Sequence, residues 1–337
     1  MNYISVGDMA RQFQLRQHNV QLKQEITRLT EEMMTGTHQD LGKALGGDMT
    51  ALASIDRQIR RIESFDVVTA EAEVFTSSMQ NALGLVQDLA ADVGVTLLSA
   101  ATSSNATLVD ATTNDAAVKF ASIIGTLNTD VAGRHLFSGA STGTKPLPDA
   151  ADILSSLQTA IAGETTAAGV LSVVETWFNA AAGGGGYLDV AYAGSSDAIG
   201  PFRISESDRL EIPISAASQE LRDVLKGFAL SALIADGLFA NDLVARSDLT
   251  RSSGEIILTA QSSLSNMQAD LGTREALIED SKTRNSAETS SLELARNSLV
   301  SVDEFDTATA VTALQTQLET LYTLTARMSE LSLVDYI

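Results

Sequence analysis

His18, His38 and His135 are the only imidazoles in 337 residues, and cysteine is absent. Imidazole and thiolate do much of the proton transfer, nucleophilic attack and zinc ligation found in proteins, so that chemistry has little to work with here. No second histidine or carboxylate stands at metal spacing from any of the three. His18 and His38 sit in polar helical or helix-end contexts, and His135 follows Arg134 at the expected end of a helix, where surface or capping roles suffice. Gly183-Gly184-Gly185-Gly186 could cradle a phosphate, but no Lys-Ser/Thr pair follows it. The next segment reads as a strand and not as a helix N-terminus, so a flexible turn is expected. The acid groups Glu31-Glu32, Glu279-Asp280 and Asp303-Glu304 with Asp306 fall on polar helical faces. A carboxylate pair for acid–base work needs burial to raise one pKa, so solvated faces are expected. Serine is plentiful, yet nothing resembles a Gly-x-Ser-x-Gly elbow. No catalytic residue, cofactor or metal ligand is expected, and the chain reads as a non-enzyme.

Composition agrees with that reading. Lys plus Arg number 22 against 43 Asp plus Glu, a net charge of −21. Phosphate binding needs a concentrated positive surface, so no nucleic-acid partner is expected, nor a polybasic membrane anchor. The start, Met1-Asn2-Tyr3-Ile4-Ser5, has neither the cationic residues nor the apolar run of a signal peptide. No run of about 18 consecutive apolar residues predicts a membrane span. Only four prolines interrupt a chain rich in Ala, Leu, Ser and Thr, which suits long helices.

Apolar residues recur by alternating threes and fours, the period of a helix seam packed on another helix. One seam is Met79, Leu83, Val86, Ala90, Val93 and Leu97; a second is Phe120, Ile124, Leu127 and Val131. The longest runs through Ile257, Ala260, Leu264, Met267, Leu271 and Ile278. It then passes through Ser281, Asn285 and Glu288 before Leu292, Ala295, Leu299 and Val302. The polar gap predicts a hinge or a poorly packed helix near 279–290. Narrow stripes mark both ends: Leu15, Leu22, Ile26, Leu29 and Met33, then Val311, Leu314, Leu318, Leu321 and Met328. Such stripes are marginal alone and can pair with each other or with neighbouring copies. Segment 1–35 is balanced in charge, whereas 300–337 has six acids and one base, a mild preference for cross-pairing.

The middle differs. Between Gly139 and Ala217 lie all four prolines and the glycine run. Two short helices are expected near 149–162 and 166–181, then short strands at Tyr187–Tyr192, Phe202–Ile204 and Leu210–Ile214. Ser215 to Gln219 predicts a capped return to helix. The expected plan is two helical halves packed together, with a small mixed α/β insert projecting outward.

Gly133-Arg134-His135-Leu136-Phe137-Ser138-Gly139, followed by Thr144-Lys145-Pro146, resembles the Gly-Arg-x-Leu-Phe-Ser-Gly segment and nearby Thr-Lys-Pro of bacterial flagellar hook–filament junction proteins, which are flagellin relatives. The ending, Ala326 to Ile337 with Leu331-Ser332-Leu333, is similar to the ending of that family. Thr30 to Asp40 is similar to the stretch that follows a flagellin-type terminal helix. The opening lacks the usual Arg-Ile-Ser-type start, and 35–48 lacks the common Asp-Asp-Pro.

The resemblance implies a mainly α fold, an elongated flagellin-like helical bundle formed by both chain ends with a small mixed α/β domain inserted. Residues 1–35 and 300–337 would be a terminal coiled-coil domain, disordered in the monomer; 40–140 and 225–298 a helical rod; and 141–222 an outer domain. The terminal seams, with Leu331 and Leu333, would form the assembly interface, and Gly133, Arg134, Leu136, Phe137, Ser138 and Gly139 the family motif. Implied partners are further copies in a ring, a neighbouring hook-associated protein, flagellin, and a cytoplasmic export chaperone on the C-terminal segment. Implied too is an extracellular place on the flagellum, reached through its type III apparatus. A flagellin paralogue building the filament is the nearest alternative, a soluble helical signalling module a more distant one.

Overall fold

The computed structural model describes residues 6–103 and 105–334, with side chains described over 9–103 and 105–327. Its architecture is mainly α. Two long helices, α3 (Thr50–Thr102) and α9 (Leu243–Val300), run 53 and 58 residues. The others are α1 (Val6–Thr35), α2 (Leu41–Ala44), α4 (Ala106–Leu127), α5 (Ala150–Ile161), α6 (Ala167–Asn179), α7 (Tyr187–Val190), α8 (Gln219–Ala235) and α10 (Glu304–Val334). Two antiparallel hairpins complete the described elements: β1 (Asp130–Val131) with β2 (Arg134–His135), and β3 (Ile199–Arg203) with β4 (Arg209–Ile212). The chain forms two compact units, one of residues 1–62 and 287–337, the other of 63–286. The borders of these units thus fall inside α3 and α9.

The 63–286 unit holds the main core. The seam Met79 to Leu97 is wholly buried on α3, as are Phe120, Ile124 and Leu127 on α4 and Ile257 to Ile278 on α9. Helix α8 is buried almost all round, from Leu221 to Ile234. By length and composition α3 could cross a membrane, but here its apolar face from Ala72 to Leu97 lines this core. Small residues let the helices close in. A Cβ on Gly254 of α9 would stand 3.0 Å from the carbonyl oxygen of Gly94 on α3. Ser253 donates to the Gly227 carbonyl of α8 at 2.6 Å. Helix α4 starts where Asn105 accepts the N–H groups of Thr107 and Leu108, the expected work of an N-cap.

The middle of the chain shares this core. Ile153, Val174, Phe178, Tyr187, Phe202 and Ile212 join one continuous core with the α3, α4 and α9 seams. Helices α5 and α6 and strand β4 lie where patterning predicts them, whereas β3 starts at Ile199, ahead of the expected Phe202, and ends at Arg203. Tyr187–Val190, read as a strand, is helical instead. Asp189 draws the chain round by accepting the Gly183 and Gly185 N–H groups at 2.8 and 2.7 Å, and Tyr187 is buried with its hydroxyl donating to the Ala216 carbonyl at 2.8 Å. Alternation there reflected one buried ring in a tight turn, not a pleat. At the start of α8, Ser218 holds the cap position without a side-chain cap bond.

The polar gap of the long seam is packed too. Helix α9 is continuous through 279–290, and Ser281 and Asn285 are buried. Asn285 donates to Asp66 at 3.2 Å and to the Ile204 carbonyl at 3.1 Å. Arg284 pairs with Asp208 at 2.7 Å. The β3–β4 hairpin thus supplies a polar partner to Asn285, Ser281 accepts from Arg284 on the same helix, and Glu288, the last polar position of the seam, is exposed; the border between units falls at 286/287.

Candidate assembly surface

The terminal stripes meet each other. Helices α1 and α10 pack together, and Thr37 bridges Ser301 in antiparallel sense where the two come together. Leu22, Val311 and Leu321 are buried in this pair, and Leu15, Ile26, Leu29, Leu314 and Leu318 are half-buried. Lys23 lies 5.8 Å from the Tyr322 ring centroid, and its hydrogen bond holds the Tyr322 hydroxyl below the ordinary tyrosine range. Met33 departs from expectation at 40% exposed. Met328, Leu331 and Leu333 fall on side chains outside the described residues.

Glu32 takes the inward place beside Met33. It is only 2% exposed, which corrects the solvated face expected for Glu31-Glu32. A buried carboxylate is tolerated only when paired and hydrogen-bonded. Glu32 Oε1 accepts from Arg28 and from the Gln39 N–H at 3.0 Å, and His38 Nδ1 stands 3.8 Å from Oε2. Arg28 also pairs with Glu25, whose carboxyl that hydrogen bond holds below its usual value. The corner is closed by backbone bonds: Val302 N–H to the Gly36 carbonyl at 3.1 Å and His38 N–H to the Val300 carbonyl at 2.9 Å.

A second apolar row lies outside the pair. Met9, Phe13, Val20 and Met34 are exposed on α1, and their spacing puts them on one face, roughly opposite Leu15, Leu22, Ile26 and Leu29. On α10, Phe305, Tyr322 and Leu324 are exposed. The seam alone does not reveal this row. Its signal is a second stripe, spaced four, seven and fourteen, on a helix that one stripe already accounts for.

The Gly133–Gly139 phrase is a latch within the 63–286 unit. Ala132 and Gly133, both at positive φ, make the two-residue turn between β1 and β2, a geometry that favours glycine. Arg134 pairs with Glu71 and lies over the Phe75 ring, 4.5 Å from its centroid. Leu136, Phe137 and Ser138 are fully buried. Ser138 Oγ donates to the Thr144 carbonyl at 2.6 Å, and the Phe137 and Ser138 carbonyls accept from Ala216 and Ser195. Gly139 has φ +59, and a Cβ there would meet the Ser195 carbonyl oxygen at 2.2 Å. These residues tie α4 to the middle segment.

The groups that could do chemistry are spread apart. His135 lies in β2, not at a helix end, with Nδ1 2.9 Å from the Asn128 carbonyl oxygen. The glycine turn's N–H groups are taken by Asp189, whose carboxyl they hold below its ordinary value. A helix does follow that turn, but it is the four-residue α7. Asp303 caps α10, accepting from the Phe305 and Asp306 N–H groups at 2.9 and 3.0 Å, while Glu279 and Asp280 are exposed. Among the described residues no cluster of His, Asp and Glu could hold a metal ion.

Residues 255–337 match the bacterial flagellin C-terminal helical region. The fold is similar to that of Bacillus cereus FlgL, with a TM-score of 0.51 and 13% identity over 73% of this chain and 100% of that one. A structure from Vibrio parahaemolyticus described as a flagellar hook-associated protein aligns at a TM-score of 0.41 and 16% identity, over 73% of this chain and 99% of that one. No curated protein matches the chain significantly. The last part of the chain, from within α9 to its end, thus matches the flagellin C-terminal helical region, and the chain shares its fold with FlgL.

Proposed function

We propose that this protein is a structural adaptor of the bacterial flagellum that joins hook-side proteins to the flagellin filament. The observation that carries the reading is the doubly apolar terminal pair. One stripe holds α1 to α10, and a second row on α1 faces outward, as a subunit that must bury more surface in an assembly requires. Copies arranged in a ring would bury that row in a coiled-coil layer, at roughly 25 cal/mol per Å² of apolar surface removed from water. One side of the ring meets a neighbouring hook-associated protein and the other meets flagellin. The chain leaves the cell through the flagellar type III apparatus, with an export chaperone holding segment 300–337 beforehand. Its work is mechanical and not catalytic.

Leu318→Asp or Leu321→Asp places a charge in the α1–α10 seam. The expected outcome is a protein whose 63–286 unit stays folded but which is missing from the junction. Normal incorporation of both variants would refute the reading. A second reading, a flagellin paralogue building the filament, is favoured by the flagellin C-terminal match itself. Copy number per flagellum separates them: a ring's worth for an adaptor, thousands for a filament subunit.

A further inference from the structure

Phe305 is 79% exposed, more than any other large apolar side chain described. It stands in the first turn of α10 between Glu304 and Asp306, both exposed, and the Asp303 cap fixes the backbone beneath it. The result is an aromatic knob with an acid on either side, set on a rigid helix start. The beginning of α3 carries the opposite features. Gly47, Asp48, Met49, Thr50, Ala53 and Arg57 line a shallow cleft of about 450 Å³. One turn further on come Arg60 and Arg61, exposed like Arg57. Three guanidinium groups within five positions are conspicuous in a chain of net charge −21. Asp48, the acid in the lining, is turned to its own backbone: Oδ1 accepts the Thr50 N–H at 2.9 Å.

We propose that Phe305 of one copy seats in the cleft of a second copy, with Glu304 and Asp306 meeting Arg57 and Arg60. This contact rests on the assembly role above and supplies its register. The Met49 thioether and the face of the Arg57 guanidinium are favourable neighbours for an aromatic ring, and the flanking charges set orientation and exclude wrong pairings. A central aromatic anchor rimmed by charge is the usual make-up of an interface hot spot. Knob and cleft are different surfaces, so the contact is heterologous and propagates into a ring or helix instead of closing as a two-fold pair.

The test is sedimentation of the full chain at low ionic strength, with circular dichroism to verify helix content. Variants are F305A, R57E/R60E and E304R/D306R. Each should self-associate at least about tenfold more weakly than the wild type. An equal mixture of the two charge-reversed variants should recover association, because each then offers the other a complementary knob and cleft. Wild-type association in R57E/R60E, or no recovery in the mixture of two folded variants, would overturn the contact while leaving the adaptor reading standing. If the charge reversals lose helix, F305A decides alone: undiminished association overturns the contact. A wild type that stays monomeric at every concentration overturns the self-assembly reading and this contact together.

Discussion

Gly139 shows how much of the junction-type phrase is fold chemistry. Its φ of +59 lies where L side chains are strained, and an added Cβ would stand 2.2 and 2.6 Å from the carbonyl oxygens of Ser195 and Asp197. Neither is the far end of a flexible side chain. Gly139→Ala should therefore cost at least about 2 kcal/mol in urea unfolding, whereas alanine at exposed Ser141, just beyond the latch, should change stability little. Tyr187 makes a pH prediction. Burial raises its hydroxyl pKa well above the ordinary tyrosine value, so the folded state keeps a proton that the unfolded chain releases. Its contribution is fully present below pH 10 and is lost as pH rises toward the folded value. Tyr187→Phe should flatten the fall in stability on the alkaline side, at a cost of about 1 kcal/mol near neutrality for the lost bond to the Ala216 carbonyl.

At the level of elements, α1 and α10 are the pair on which the proposed assembly rests. Leu22→Asp should unpair them, because a charge at a buried seam position loses its hydration without gaining a partner. The expected result is lost helix signal from the two termini, with the cooperative unfolding of the 63–286 unit unchanged. The same scale explains what the sequence could reveal. Seams such as Met79–Leu97 and Ile257–Ile278 were legible because a 3.6-residue period survives wherever one face is buried. Leu15, Leu22, Ile26 and Leu29 were legible as a stripe for the same reason. Met33 was misread because Glu32, one residue away, takes the inward place once Arg28 and the Gln39 N–H neutralise it, and no pattern of apolar residues encodes such a partner. Tyr187–Tyr192 was misread because Asp189 folds back on the glycine turn, a local bond that overrides alternation. Asn285 looked like part of a gap because its partners lie far away in sequence, at Asp66 and Ile204.

Across the whole molecule, the long helices α3 and α9 each belong to both compact units. The 63–286 unit holds the large continuous core, closed by its own residues, although Val67, Val95, Val118 and Val244 stand exposed on it. The shorter unit made of 1–62 and 287–337 exposes Met9, Phe13, Val20, Met34, Leu294 and Phe305. On α1 these exposed residues fall in one row, and it is that row which the proposed assembly would bury. The flagellin-type match, covering 255–337, takes in most of α9 and all of α10, including the C-terminal part of the shorter unit.

Deletion of the gene, followed by electron microscopy of the cells and assay of flagellin in the medium, tests the adaptor role most directly. Bare hooks on the cells and unpolymerised flagellin in the medium are the predicted result. Intact filaments of normal length on the deletion strain would contradict it.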